Sequence, residues 1–170
     1  MRSARAVWGS LLFTVVVPGT VAGLLPLWIS GWHVENAIPP AALWRVLGVL
    51  LIAAGLPILL GAIYRFAVEG LGTPAPVAPT AHLVVGGPNR FVRNPMYLAV
   101  VSMVLGQALA FGRVDLLWYA LLIAVGQALF VRFYEEPTLA RRFGAEYERY
   151  RAAVPAWIPR STPWRPESRD

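Results

Sequence analysis

The sequence predicts an all-α fold: a polytopic membrane helical bundle of about four transmembrane helices with a C-terminal amphipathic helix. Three observations carry this expectation. Hydrophobic residues make up 57% of the 170 positions and charged residues 14%, too apolar a balance for a chain whose main solvent is water. The apolar residues gather into four separable runs. The 15 basic residues are all arginine, and most stand beside those runs or in the C-terminal tail. That placement fits membrane topology better than a nucleic-acid surface, despite a formal charge of +6. Membrane lipids are therefore expected as surroundings, and nucleic acid is not expected as a partner. The absence of cysteine excludes disulfides, thiolate metal sites and cysteine nucleophiles.

The first run, about Ala6 to Ile29, follows the basic start Met1 to Arg5. It continues too far for a signal peptide and lacks a clear small-residue cleavage site, so a retained anchor is expected. The second run is Leu43 to Tyr64. A hydrocarbon core about 30 Å thick needs roughly 20 helical residues, so both runs span comfortably. The third and fourth, Met96 to Phe111 and Leu116 to Phe133, are shorter. Gly112, Arg113, Val114 and Asp115 join them, which permits only an antiparallel hairpin, tilted or locally thinning the bilayer. Pro18, Pro26 and Pro57 free backbone carbonyls in the first two helices and predict kinks. Gly48, Gly55 and Gly61 allow close helix approach, and Gln107 and Gln127 are expected to bond between helices. Prolines recur through Thr73 to Thr80 and predict a stiff extended strap.

In a four-crossing arrangement Arg2, Arg5, Arg65, Arg90, Arg93, Arg132, Arg141, Arg142, Arg149 and Arg151 share one side, with Arg45 and Arg113 near the other. The positive-inside rule then makes both termini and the Glu69 to Arg93 segment cytoplasmic. The single domain, 1–170, divides into an N-terminal helical pair (1–66), a cytoplasmic strap and motif segment (67–95), a helical hairpin (96–134) and a cytoplasmic tail (135–170). In the tail, Leu139, Phe143, Tyr147, Tyr150 and Val154 recur at helical spacing and form one face, interrupted by Gly144. Arg141, Arg142, Glu146, Glu148, Arg149 and Arg151 oppose it, as suits a helix at the membrane interface. Trp157 and Trp164 favour the headgroup level.

Two polar clusters are expected at one depth, because the hairpin is antiparallel. Gly86 to Tyr97 enters the third helix, with Asn94 as a natural N-cap and Pro95 in the first turn. Glu135, Glu136 and Pro137 leave the fourth. Arg93 should therefore meet Glu135 or Glu136, either as a salt bridge capping the bundle or as part of a ligand site. Both Arg93 and Glu136 are placed at the rim, so Arg93→Ala and Glu136→Gln are expected to impair function without unfolding the bundle. His33 is expected in the opposite loop. No metal-ligand spacing emerges, and no metal is expected.

These residues carry a resemblance. Leu83, Val84, Val85, Gly86 and Gly87, then Arg93, Asn94, Pro95, Met96 and Tyr97, are similar to the first signature of the isoprenylcysteine carboxyl methyltransferase-like family, related to the phospholipid methyltransferases. Glu135, Glu136, Leu139, Phe143, Gly144, Tyr147, Tyr150 and Pro155 are similar to its second. The resemblance covers about Thr80 to Pro159. It implies a cofactor, S-adenosylmethionine, bound on the cytoplasmic side, and a lipid-like acceptor entering from the bilayer. By that resemblance Leu83, Val84 and Gly87, the Asn94, Pro95, Tyr97 turn and the acidic pair Glu135 and Glu136 contact cofactor, and His82 stands on the cofactor side. Arg93 orients the acceptor or the cofactor carboxylate. The sequence departs from the family at Asn94, where the eukaryotic enzymes carry His, at Asn89, where Tyr is usual, and at Ala99, where Gly is common.

An in-line nucleophile held near ~3 Å asks little acid–base chemistry of the protein. A carboxylate acceptor could be held by Arg93 or Arg90. An amine acceptor could lose its proton to Glu136. Tyr97 and Tyr147 offer aromatic faces to a sulfonium. The reading is thus an integral-membrane methyltransferase, in a bacterial inner membrane by its arginine-rich composition. Its acceptor is a lipid-like or small hydrophobic carboxylate or amine. The alternatives are an NADPH-dependent membrane reductase of the sterol-reductase type and a noncatalytic membrane protein retaining the fold. The sequence is silent on oligomeric state.

Overall fold

The computed structural model describes residues 16–35, 41–68 and 82–165. The basic start, the first part of the first apolar run and the Thr73 to Thr80 strap lie outside the described residues. Among those described, the chain is all-helical, with five helices and no strand. They are α1 (Val16–Ser30), α2 (Ala41–Val68), α3 (Pro95–Phe111), α4 (Val114–Phe143) and α5 (Ala145–Ala153). A 3-10 turn, Gly87–Arg90, precedes α3.

Two helices are long and apolar enough to cross a bilayer: Ala42–Arg65 within α2, and α4. In their most apolar windows only 28% and 17% of residues are buried, where the core helix of a water-soluble protein would be mostly covered. Leu43, Val46, Leu50, Trp118, Leu122 and Phe133 are among the large apolar side chains left exposed. α3, with 17 residues, rises only about 26 Å.

α4 corrects one expectation. The fourth apolar run was expected to stop at Phe133, before Pro137, yet the helix runs on for 30 residues to Phe143. The backbone widens into a π-turn at Val131–Glu135, where the Glu136 N–H reaches back to the Val131 carbonyl. The helix thereby passes Pro137 without breaking. α1 uses the same device: a π-turn at Thr20–Leu24 stands two residues before Pro26. Pro26 has no N–H, so carbonyls one turn back need other donors. Gln107 Nε2 donates to the Ala22 carbonyl at 2.7 Å, and the Tyr119 hydroxyl donates to the Val21 carbonyl at 2.9 Å. Gln107 thus bonds between helices, whereas the buried Gln127 Oε1 has no partner.

α2 and α3 form the most extensive helix pair, with α4 packed on α3 and α1 across both α3 and α4. Glycine sets the α2–α3 distance. A Cβ on Gly48 would sit 2.4 Å from the Gly106 carbonyl oxygen, and one on Gly106 would sit 2.6 Å from that of Gly48. Gly55 packs similarly against Ala99 and Met103. Gly61 does not belong with them, since its nearest neighbour, Pro88, is at ordinary contact distance.

At the end of the bundle remote from α5, α3 and α4 are joined by Gly112 and Arg113 alone, because α4 begins at Val114. Arg113 pairs with both Glu35 and Asp115, and Trp32 stacks on Phe111. At the other end the expected single amphipathic helix is two helices. Gly144 takes φ 52° and ψ −126°, a conformation that ends α4 and starts α5 in a new direction. The apolar face survives the break: Tyr147, Tyr150 and Val154 form a buried cluster against Leu139, Phe143, Leu83, Val85 and Trp164.

Candidate functional site

The site lies where the segment entering α3, the π-turn of α4 and helix α5 converge. The π-turn presents two consecutive carboxylates to different partners. Glu135 accepts a hydrogen bond from the Tyr97 hydroxyl at 2.8 Å, and Glu136 accepts from Arg93 Nη1 at 2.7 Å. Arg93 Nη1 also donates to the Tyr147 hydroxyl at 3.0 Å. Arg132 and Arg151 approach the second Glu136 oxygen at 3.7 and 3.8 Å. Contrary to the rim position expected, the Arg93 and Glu136 side chains are only 12% and 10% exposed. An ion pair this enclosed leaves a costly unpaired charge if either member is removed.

The C-terminal tail fastens the segment from the outside. The Arg93 N–H donates to the Pro155 carbonyl, the Arg160 N–H to that of Phe91 and the Trp164 N–H to that of Arg90. Arg90 Nε donates to the Trp164 carbonyl at 2.7 Å, so Arg90 serves the tail. Asn94 stands at the N-cap position of α3, but its side chain makes no cap hydrogen bond. Its amide donates instead to the Ala156 carbonyl at 3.1 Å. From α5, the Tyr150 hydroxyl donates to the Asn89 carbonyl at 2.7 Å. Burial raises the Tyr147 and Tyr150 phenols above the ordinary tyrosine value, and the Arg93 charge opposes that rise at both.

These contacts enclose a cavity of about 60 Å³ lined by Leu83, Val84, Asn89, Arg93, Asn94, Val131, Glu135, Glu136, Leu139, Tyr147 and Tyr150. Of the residues singled out in sequence, Leu83, Val84, Arg93, Asn94, Glu135, Glu136 and Tyr147 meet here. Five do not line it, Pro95 and four others: Gly87 opens the 3-10 turn beside Arg65, Arg90 faces Trp164, Tyr97 backs Glu135, and His82 is exposed. Pro95 lines a second space. Sequence reasoning left Asn89 out of the site, although its departure from the usual Tyr was a signal. Asn89 is 4% exposed, and its Oδ1 has no hydrogen-bond partner. Arg93 Nε is likewise buried without a partner. Each such orphan costs about 1–3 kcal/mol unless something else fills its valence.

The second space is an apolar groove of about 580 Å³ between α2 and α3, closed by the tail. Ala54, Gly55 and Ile58 line one wall, Leu98, Ala99 and Ser102 another, and Pro88, Phe91, Val92, Pro95, Trp157 and Pro159 the end. Residues 88–95 therefore separate two environments, with Asn89, Arg93 and Asn94 toward the polar cavity and Pro88, Phe91, Val92 and Pro95 toward the groove.

Two long helices with exposed apolar faces, and a cavity lined by charged side chains at one end of the bundle, suit a helical membrane protein. Residues 43–146 match the phospholipid methyltransferase family, and the chain belongs to that family of methyltransferases, which is related to the isoprenylcysteine carboxyl methyltransferases. Neither the curated proteins nor the solved structures yield a match. The matched region includes all but the first two residues of α2, the whole of α3 and α4, and the cavity-lining residues from Leu83 to Leu139.

Proposed function

We propose that the chain is an integral-membrane methyltransferase that uses S-adenosylmethionine to methylate a lipid-like or small hydrophobic acceptor bearing a carboxylate or an amine. The observation that carries this reading is the two-sidedness of residues 88–95. One short segment walls off a charged, hydrogen-bonding cavity from an apolar groove, as a reaction between a polar cofactor and a hydrophobic acceptor requires.

The residues present fit the cofactor. Arg93, Glu135, Glu136 and the Tyr147 hydroxyl bring cationic, anionic and hydrogen-bonding groups to one cavity, and two of its lining residues, Asn89 and Arg93, each keep a buried polar atom without a partner. Bound there, S-adenosylmethionine supplies a methyl group activated by a sulfonium. The chain's own groups bind and orient. Glu135, fixed by Tyr97, places negative charge beside the cavity, and Glu136 holds the Arg93 guanidinium in place. With an amine acceptor, the carboxylates are the groups able to take its proton. The apolar groove receives the hydrocarbon part of the acceptor, and Trp157 and Pro159 cover its end. A cavity of about 60 Å³ is far below the roughly 300–1,000 Å³ of a drug-sized ligand site. Cofactor entry therefore requires the walls to part, and the wall made by residues 89–94 is held from outside by the backbone bonds of the tail at Pro155, Arg160 and Trp164.

In this reading all four apolar helices cross the bilayer, α5 lies at its surface, and the arginine-rich end that carries the site is cytoplasmic, in a bacterial inner membrane. Titration calorimetry of the detergent-purified chain tests the function. Micromolar binding of S-adenosylmethionine and S-adenosylhomocysteine, with none of NADPH, is expected. Binding of NADPH alone would turn the reading to a reductase, and binding of none by a folded sample would sink it.

A further inference from the structure

The groove between α2 and α3 is informative through what its walls lack. Among the described residues that line it, no side chain is charged. Beside the Trp157 indole the one polar side chain is Ser102, whose hydroxyl already donates to the Leu51 carbonyl at 3.1 Å. The arginines of the adjoining segments are committed elsewhere. Arg90 Nε donates to the Trp164 carbonyl, Arg93 Nη1 serves Glu136 and Tyr147, and Arg160 Nη1 donates to the Ala153 carbonyl at 2.6 Å. The groove is also short. Along α3 it runs from Pro95 to Ser102, about two turns of helix, or about 10 Å. There the Ser102 hydroxyl ties α3 to α2, and beyond it the Gly48 and Gly106 backbones meet, so the cleft between the helices ends.

We infer that the acceptor is a compact hydrophobe, its hydrocarbon about 10 Å long and joined directly to the carboxylate or amine, and that the groove excludes glycerophospholipids although the chain belongs to the phospholipid methyltransferase family. The inference rests on the methyltransferase reading and narrows its acceptor. A glycerophospholipid carries a phosphodiester and two esters between its amine and its hydrocarbon. Those groups would lie against Pro88, Phe91, Val92 and Pro95, the groove side of the dividing segment, with one neutral indole N–H to meet them. An anion desolvated there without a cation is strongly disfavoured. Size agrees, since about 580 Å³ is within the roughly 300–1,000 Å³ of a drug-sized ligand site. An extended chain advances about 1.2 Å per bond, so a straight chain fills the groove in about eight bonds. Carbons beyond that lie in the surrounding hydrocarbon and gain nothing from the protein. In the transfer itself the acceptor's lone pair forms the new bond to the methyl carbon while the carbon–sulfur bond breaks, its electron pair staying on sulfur.

The test follows a labelled methyl group from S-adenosylmethionine, with the full chain in detergent, to straight-chain acids and amines of six to sixteen carbons and to dioctanoyl phosphatidylethanolamine at the same mole fraction. In the acid or the amine series kcat/KM should rise about tenfold from six carbons to ten and stay level beyond, and the phospholipid should be at least about tenfold poorer than the ten-carbon probe. Ala54→Leu, which fills the groove near its Ser102 end, should move the plateau to shorter chains while calorimetry shows S-adenosylhomocysteine bound as by the wild type. Occupancy is read without turnover by 2-bromodecanoic acid, whose bromine beside the carboxylate should quench the part of the fluorescence that Trp157→Phe removes. The inference is overturned by a phospholipid methylated as well as the ten-carbon probes, by a rate climbing steadily to sixteen carbons, by a plateau that Ala54→Leu does not move, or by no quenching of Trp157. It is overturned equally if no straight-chain probe is methylated by protein that binds S-adenosylhomocysteine. Each of these results leaves the methyltransferase reading standing, whereas a folded chain that binds no S-adenosylhomocysteine removes both.

Discussion

Arg93 and Glu136, brought together from the segment before α3 and the π-turn of α4, form a 2.7 Å ion pair between side chains that are 12% and 10% exposed. The pair sits inside the bundle end, so its members are structural. Arg93→Ala leaves Glu136 with guanidiniums no nearer than 3.7 Å. Breaking a pair of this kind costs about 3–5 kcal/mol, and replacing both members by apolar residues of similar volume recovers most of it. Thermal unfolding in detergent should therefore show a large drop in Tm for Arg93→Ala, a smaller one for Glu136→Gln, and substantial recovery in Arg93→Met with Glu136→Leu. Ligand binding should be lost in all three. Strictly additive drops in the double variant would contradict the pairing.

The Gln107 contact with Ala22 exists because Pro26 withholds an N–H. Gln107→Leu should cost about 1 kcal/mol, within the range for hydrogen bonds between membrane helices. Pro26→Ala restores a backbone donor one turn after Ala22, so the same Gln107→Leu change should cost less in that background. A double-mutant cycle on unfolding in detergent reads the coupling, and a cycle with no coupling would show that Gln107 does not serve the proline.

Close approach of α2 and α3 makes Gly48 and Gly106 intolerant of a methyl group. A Cβ at either position meets backbone atoms at 2.4–2.6 Å, which no rotamer change relieves. Gly106→Ala and Gly48→Ala should each destabilise by about 1–3 kcal/mol through overpacking. Gly126 in α4 has nothing within 4 Å of its Cβ position, so Gly126→Ala should be neutral or slightly stabilising. Equal Tm values for all three variants would refute this account of the pair.

Much of this architecture was legible in the sequence, and the parts that were not have a common physical origin. Apolar runs located α2 and α3, because hydrocarbon thickness dictates length. The spacing of Leu139, Phe143, Tyr147, Tyr150 and Val154 identified a face that does pack together. The extent of α4 was hidden because a proline reads as a stop, and the π-turn that carries the helix past Pro137 leaves no compositional mark. Gly144 does interrupt the helix, and its positive φ makes the interruption a corner. The grip of the tail on residues 90–94 runs mainly through backbone groups, which every sequence possesses. Asn94 illustrates the same limit: its type suits an N-cap, but the Ala156 carbonyl, distant in sequence, claims its amide. The division of residues 88–95 between cavity and groove depends on a 3-10 turn whose phase no periodicity reveals.

Tyr150 supplies a prediction in which the sign of the pH dependence can be worked out. Its hydroxyl donates to the Asn89 carbonyl, and burial raises its phenol well above the ordinary value. Below about pH 10, the unperturbed tyrosine value, the phenol is protonated in both folded and unfolded chains, and its full contribution is present. As the pH rises beyond that, the unfolded chain releases the proton first and so binds fewer protons than the folded one. Stability therefore falls with increasing pH until the folded-state phenol itself ionises. Tyr147, also raised by burial, adds to the same slope. Tyr150→Phe should lower stability at pH 7 by about 1–3 kcal/mol, because it leaves the buried Asn89 carbonyl without its donor. The same change should flatten the decline measured between about pH 9 and 11 in chemical or thermal unfolding. An alkaline slope unchanged by Tyr150→Phe would show that the proton is lost from Tyr150 as readily in the folded chain as in the unfolded one, and that the hydroxyl does not hold the Asn89 turn.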